Sequence, residues 1–237
     1  MAENKLKIVE IFTSIDGEVN KWGQGCFTTF IRLWGCNLQC NYCDTTYAMK
    51  QGNFSLMSVM EIINAVNQNS CDKVTITGGE PLLNPAIYNL IKALHIWGYK
   101  VSIETNGSIF PDFQLAGQKD PIRYERLSWI FDYKLSSSGM NEKMLSINTF
   151  AVFPSNSFIK LVIGTDEDFD EALKFLYTLK SPENCYEGKV AFSPCIGDGY
   201  MTPERLTQKM IDSKLFDIIM NLQIHKFIFP NGENSVK

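Results

Sequence analysis

The chain has 237 residues, enough for one large domain with a substantial core. Hydrophobic residues make up 45% and charged residues 20%, which excludes a disordered chain, and a net charge of -4 without clusters of Lys and Arg argues against a nucleic-acid partner. No apolar run reaches membrane-spanning length and no signal-peptide pattern opens the chain, so a cytoplasmic protein with no membrane partner is expected.

In chain order, residues 27–34 read as a strand rich in aromatic and β-branched side chains. Residues 56–66 read as a helix, with apolar positions at Val59, Ile62, Ile63 and Val66. A short strand follows at 73–76, ended by Gly78 and Gly79. Asn84 is a cap, with Pro85 in the first turn, for a helix running to Trp97 and stopped by Gly98. Further strands are predicted at 99–104, 127–133, 157–163 and 189–193. Helices are predicted across 169–179 and 203–220, and a terminal strand over 222–229. Residues 110–126, with Pro, Gly, Gln and Asp, read as an irregular insertion.

Strands alternating with helices imply an α/β fold with a mostly parallel sheet and helices on its outer face. Six to seven such units are too few for a closed eight-fold barrel, so a partial (β/α)6-type barrel that opens sideways is expected, as one domain over 1–237. In such folds the chemistry collects at the C-terminal ends of the strands. Cys36, then Gly79 and Glu80, then residues 104–107, 132–138 and 193–195 all fall at those ends.

Seven cysteines in a cytosolic chain point to metal or redox chemistry rather than disulfides. Cys26, Cys71, Cys185 and Cys195 are scattered and read first as core or near-core thiols. Cys36, Cys40 and Cys43 are different, because they form a C-x3-C-x2-C run. A zinc site closes with four protein ligands, and no fourth Cys or His lies nearby in sequence. Three thiolates on a [4Fe–4S] cluster leave one iron open to a small molecule. The competing reading, three buried thiols, does not explain their density in so short a loop. About forty residues on, a strand ends in Thr77-Gly-Gly-Glu-Pro81. Paired glycines admit close backbone approach, and Glu80 can accept a hydrogen bond from an ammonium group. A plain tight turn is the alternative.

The cysteine run together with the Gly-Gly-Glu turn resembles the radical S-adenosylmethionine (SAM) superfamily, in which SAM chelates the open iron. The N-terminal half narrows this. Glu10-Ile-Phe-Thr-Ser-Ile-Asp-Gly-Glu18, then Phe30-Ile-Arg32-Leu-Trp-Gly-Cys36, then Cys43-Asp-Thr45 resemble the 7-carboxy-7-deazaguanine synthase family, and Leu222 to Phe227 resembles its ending. That family reads E-x-F-x-S-x-Q-G-E-G, F-x-R-x-x-G-C and C-D-T.

The resemblance implies conversion of 6-carboxy-5,6,7,8-tetrahydropterin to 7-carboxy-7-deazaguanine with loss of ammonia, a carbon–nitrogen lyase reaction. It implies a [4Fe–4S] cluster on Cys36, Cys40 and Cys43, SAM, and Mg²⁺ held partly by Thr45, for which a helix cap is the rival role. Residues 1–25 become a substrate-binding segment, with Ile15, Asp16, Gly17, Glu18, Arg32 and Thr77 toward the pterin. Tyr42, Gly79, Glu80, Glu104, Asp132, Tyr133, Lys134, Ser136, Ser193, Pro194 and Cys195 fall toward SAM. A homodimer and a flavodoxin- or ferredoxin-like electron donor are also implied.

The residues themselves support part of this. Arg32 interrupts an apolar strand and can hold a carboxylate in bidentate fashion. Tyr42 can contact adenine or simply pack at the loop base. Two departures stand out: Asp16 replaces the family's Gln, and Val19 its Gly. An ionised Asp only accepts hydrogen bonds, whereas Gln also donates. The ending Gly232 to Lys237 also differs from the usual family tail. The rivals are a glycyl-radical-enzyme activase, another radical SAM enzyme with a different small substrate, and a non-catalytic metal or electron-transfer module.

Overall fold

A computed structural model describes residues 5–117, 119–120, 124–184, 186–197 and 199–229. Cys185, Lys237 and the rest of the tail after Phe229 therefore lie outside the described residues. The elements are β1 (Leu6–Ile15), β2 (Phe27–Leu33), β3 (Ser55–Met57), α1 (Val59–Asn67), β4 (Lys73–Gly78), α2 (Ile87–Ile96), β5 (Lys100–Thr105), β6 (Leu127–Tyr133), α3 (Ile147–Ala151), β7 (Ser157–Ile163), α4 (Asp166–Leu179), β8 (Lys189–Pro194), α5 (Pro203–Asp212), β9 (Ile219–Met220) and α6 (Ile224–Ile228). They build one nine-stranded sheet in the order β3-β1-β2-β4-β5-β6-β7-β8-β9. From β2 to β9 all neighbours are parallel, while β1 runs antiparallel to β2 and β3. The expected α/β architecture, a mostly parallel open sheet with crossover helices, is what forms.

Each parallel strand has two different faces, because successive side chains alternate. One face carries Ile31, Ile76, Ile103, Phe131, Ile159, Leu161 and Phe192, all packed into the main core with the helices. The other carries Arg32, Thr77, Glu104, Asp132 and Lys160, and these line a common cavity. Registry brings them side by side: Arg32 opposes Thr77, and Asp132 opposes Lys160. The sheet is thus apolar toward its helices and polar toward its concave side.

Several boundaries differ from expectation. β1 was not predicted as a strand; it turns at residues 16–26 and returns antiparallel, with Ile15 opposite Phe27. The predicted helix over 56–66 starts later, since residues 55–57 pair with β1 and Ser58 forms a capping box with Glu61. The α4 helix begins at Asp166 rather than 169, because Thr165 and Asp168 form another capping box. Asn84 does not occupy the cap position of α2, which is Ala86; its Oδ1 accepts the Ala86 N–H instead (3.0 Å). The predicted helix over 203–220 stops at Asp212: Lys214 adopts φ +54°, and the Leu215 N–H returns to the Met210 carbonyl (3.0 Å). Chain beyond it gives the short β9 and then a helix, α6, where a strand over 222–229 was expected.

Between β6 and α4 lies an aromatic group in which the Phe150 ring meets Phe131, Tyr133, Phe153 and Phe175 at centroid distances of 6.3, 5.2, 4.9 and 6.0 Å. Phe150 is fully buried. A Phe150→Ala protein is expected to lose about 3–5 kcal/mol of folding stability. Urea denaturation reads this directly, and a loss well below that range would show that the group repacks.

Candidate active site

The cysteine loop leaves β2 through Gly35 (φ +93°). Cys36, Cys40 and Cys43 all line a cavity of about 680 Å³ on the concave side of the sheet, a size typical of small-molecule sites. The loop is pinned from outside: the Asn41 N–H donates to the Ser138 carbonyl (3.0 Å), and the Asn106 amide donates to the Cys36 sulfur (3.5 Å). Burial pushes the Cys40 thiol up to about 11, with Lys134 opposing. Cys43 and Cys36 are among the charges that Cys40 feels, so the three sulfurs share one neighbourhood. Three soft sulfur donors around one cavity fit an iron–sulfur cluster. Among the described residues, no three His, Cys, Asp or Glu side chains converge to hold a single metal ion.

The Gly-Gly-Glu turn is built against this loop. A Cβ on Gly79 would lie 1.8 Å from the Gly35 carbonyl oxygen, and one on Gly78 (φ +126°) 2.3 Å from the Leu33 backbone. The Gly79 N–H donates to the Leu33 carbonyl (2.9 Å) and the Glu80 N–H to that of Gly35 (2.8 Å). The glycines therefore serve the protein's own backbone contact as well as any ligand. Glu80 is buried, and its carboxylate accepts from the Leu82 N–H (2.9 Å), Thr105 hydroxyl (2.8 Å) and Asn106 N–H (2.7 Å). Burial raises its pKa against those hydrogen bonds. It ties the end of β4 to the end of β5 from behind the cavity wall.

Deeper in the cavity, charged groups alternate in sign. Lys160 Nζ lies 3.0 Å from Glu18 Oε1 and 3.5 Å from Asp132 Oδ2, and Lys134 Nζ lies 2.7 Å from the same Asp132 oxygen. For Asp132, burial works toward a higher pKa but Lys134 and Lys160 outweigh it, and the net shift is down. For Lys160, burial is likewise outweighed, here by Asp132 and Glu18, and the net shift is up. Among the described residues, Glu104 is in no ion pair of this kind, and Lys160 acts on it only from further away. Its Oε2 accepts the Thr77 hydroxyl (2.7 Å), and burial, with Asp16 and Glu18, raises its pKa to about 8.

Arg32 has an internal partner that the sequence reading did not assign. Its Nε–H donates to Glu10 Oε1 (2.7 Å), which also accepts the Tyr47 hydroxyl (2.7 Å). The guanidinium sits 5.6 and 5.7 Å from the Phe12 and Tyr47 ring centroids. Among the described residues, its two terminal nitrogens have no hydrogen-bond partner.

The two ends of the chain close around Glu18. Its carboxylate accepts from the Asn221 amide (2.7 Å) and the Gln223 amide (2.6 Å). Gln24 Nε2 bridges the Gly17 and Leu222 carbonyls at 2.9 and 2.7 Å. A Cβ on Gly17 would lie 2.1 Å from His225 Nδ1, so α6 demands glycine there. Burial lowers the His225 pKa. Lys226 pairs with Asp44 at 3.1 Å, joining α6 to the cysteine loop.

Of the residues singled out in sequence, Ile15, Gly17, Glu18, Arg32, Tyr42, Thr45, Thr77, Gly79, Glu104, Asp132, Lys134 and Cys195 join the three loop cysteines on the cavity wall. Asp16, Glu80, Tyr133, Ser136, Ser193 and Pro194 do not line it. Thr45 stands at the cap position of the short turn Thr46–Met49 without capping it, and its hydroxyl lies 3.7 Å from the Cys43 sulfur. The Tyr42 hydroxyl and Asp132 Oδ1 are buried on this wall without a partner among the described residues, a state that costs free energy unless a ligand supplies the bond. Sequence reasoning missed Lys160 and Tyr47, and met Glu10, Asp44 and Gln223 only as parts of motifs, with no role assigned. Lys160 carried the same signal as Arg32, a lone cation in an apolar strand.

Residues 33–124 match the model of the radical SAM superfamily. The chain is similar to the 7-carboxy-7-deazaguanine synthase of Clostridium acetobutylicum, with 37% identity over 97% of this chain and 99% of that protein. It is 36% identical to that of Methanospirillum hungatei over 94% of this chain and 85% of the relative. Among solved structures it resembles QueE from Escherichia coli with a TM-score of 0.66 at 21% identity, covering 92% of each chain, a likeness of fold.

Glu104 is the group whose titration is expected to show in stability. The folded protein holds its proton up to about pH 8, while the ordinary value is 4.5. Folding therefore binds a proton between those values, and stability should fall as pH rises through that window. Glu104→Gln should flatten the fall, as measured by urea denaturation across the window. An unchanged slope in the variant would assign the effect to another group.

Proposed function

The chain belongs to the 7-carboxy-7-deazaguanine synthase family, and from that premise we propose that it converts 6-carboxy-5,6,7,8-tetrahydropterin to 7-carboxy-7-deazaguanine with release of ammonia, as a carbon–nitrogen lyase. The observation that carries the reading is the meeting of three loop cysteines, an arginine and a carboxylate set around one cavity. When bound, the cluster and SAM would supply radical chemistry able to take the hydrogen from C6 of the pterin and to return one after rearrangement, so that SAM is recovered.

The chain's own residues do the binding and positioning. Cys36, Cys40 and Cys43 hold the cluster. Asp132, held by Lys134 and Lys160, and the Tyr42 hydroxyl offer unpartnered polar atoms toward SAM, beside the Gly79 backbone. Glu80 braces that wall through Thr105 and Asn106, while Tyr133, Ser136, Ser193 and Pro194 lie off it and are given no direct contact with SAM in this reading. Arg32 takes the pterin carboxylate with its terminal nitrogens, oriented by Glu10 through Nε. Glu18 and Glu104 face the donor-rich edge of the ring system, with Ile15, Gly17 and Thr77. Glu104, protonated below about pH 8, can donate there as well as accept. Thr45 offers a hydroxyl to Mg²⁺, beside the Asp44 carboxylate on the same wall. The α6 segment borders the cavity through His225 against Gly17, Gln223 on Glu18 and Lys226 on Asp44. The homodimer, the flavodoxin- or ferredoxin-like donor and the cytoplasmic setting rest on the family; no described helix is long and apolar enough to cross a membrane.

The test is anaerobic turnover by reconstituted, reduced protein with SAM and the carboxy-tetrahydropterin. Formation of 7-carboxy-7-deazaguanine is expected, and no product would contradict the assignment. Cys40→Ala should abolish SAM cleavage altogether. Arg32→Ala should weaken pterin binding by ~2–5 kcal/mol, since a charged bidentate partner is lost, while cluster absorbance stays as in the parent. A normal pterin affinity in that variant would remove Arg32 from the carboxylate site.

A further inference from the structure

We propose that Lys73 is a positioning residue for the pterin-facing segment, acting through the carboxylate of Asp16. The inference rests on the substrate assignment above. Asp16 lies between Ile15, Gly17 and Glu18, which all line the cavity, yet is itself turned off that wall and only 1% exposed. Its partners are all within the protein. Oδ2 pairs with the ammonium of Lys73 and accepts the Thr75 hydroxyl at 3.0 Å. Oδ1 accepts the backbone N–H of Glu18 at 3.1 Å. The Asp16 backbone is fixed too, donating to the Cys26 carbonyl and accepting from the Gly25 N–H, each at 2.8 Å.

Lys73 is the first residue of β4 and is 2% exposed. An ammonium so deeply placed is costly unless paired. Its location points to the pairing as its purpose: β4 also supplies Thr75 to the same carboxylate and Thr77 to the cavity. Thr75 is in turn held by the Thr28 hydroxyl of β2 (3.0 Å). One strand thus fixes the loop and lines the site that the loop faces. Asp16 transmits this directly, because the amide it holds belongs to Glu18, whose side chain meets Lys160, Asn221 and Gln223. The Asp in this segment reads no ligand; it locks the backbone on either side that does.

The test uses full-length reconstituted protein and three variants. Asp16→Asn keeps the shape and removes the charge. It should raise the pterin KM about tenfold, with kcat and pterin-free SAM cleavage within about twofold of the parent. Lys73→Met should do the same. The double variant should match Asp16→Asn within about twofold, because Lys73 has nothing left to act through. The double variant carries no unpaired buried charge, so it keeps the comparison available if Lys73→Met does not fold. An unchanged pterin KM in Asp16→Asn overturns the assignment, as does a further tenfold loss on adding Lys73→Met. A lowered melting temperature with parental KM would mark a purely structural pair and also overturns it. Parent protein that cleaves SAM but leaves the pterin untouched would instead refute the substrate assignment.

Discussion

Charges placed on the concave side of the sheet have to be neutralised within it, and the arrangement around Lys160 does this. A lone ammonium taken out of water is strongly disfavoured. Lys160 meets Glu18 from the N-terminal loop and Asp132 from β6, and Asp132 meets Lys134. Glu18 in turn draws in Asn221 and Gln223. Four separated parts of the chain are thereby committed to one place. Asp16 and Lys73 repeat the device at the start of β4. Ion pairs of this kind add little net stability over apolar packing, but breaking one partner away is costly. Their effect is therefore on which arrangement forms, and that arrangement is the wall of a cavity.

A second constraint is the close passage of two backbones. The cysteine loop and the turn after β4 touch where Gly79 meets the Gly35 carbonyl, and a side chain on Gly79 has no room. This contact sets the sulfur-bearing loop beside the strand that carries Thr77. Glu80 then fastens the neighbouring strand end through Thr105 and Asn106, and Asn106 reaches back to Cys36. The three loop sulfurs and the polar groups from the sheet therefore line one cavity. The two backbones pass this closely because Gly78 and Gly79 carry no side chain.

Much of this was legible in sequence, and the failures have physical causes. The strands β2, β4, β6 and β7 were found because β-branched and aromatic residues crowd them. Their alternation was less fully used: Lys-Val-Thr-Ile-Thr in β4 and Ile-Lys-Leu-Val in β7 already separate a polar from an apolar face. Lys160 was missed for that reason. The β1 strand was hidden because its residues also spell a family motif. In α5 the helical pattern extends past Asp212, and a left-handed Lys214 ends it without glycine or proline to announce the stop. The Asp16 departure looked like a change in what the ligand meets. Its partner, Lys73, lies 57 residues away, a pairing that only the fold reveals.

On the proposed assignment, the cavity brings C6 of the pterin to the cofactor held by the three cysteines. Pterin carrying deuterium at C6 tests this most directly, with the label followed by mass spectrometry during anaerobic turnover. Deuterium should appear in the 5'-deoxyadenosyl group of recovered SAM and 5'-deoxyadenosine. Product formed with all the label released to solvent, or retained throughout on the pterin carbon, would contradict it.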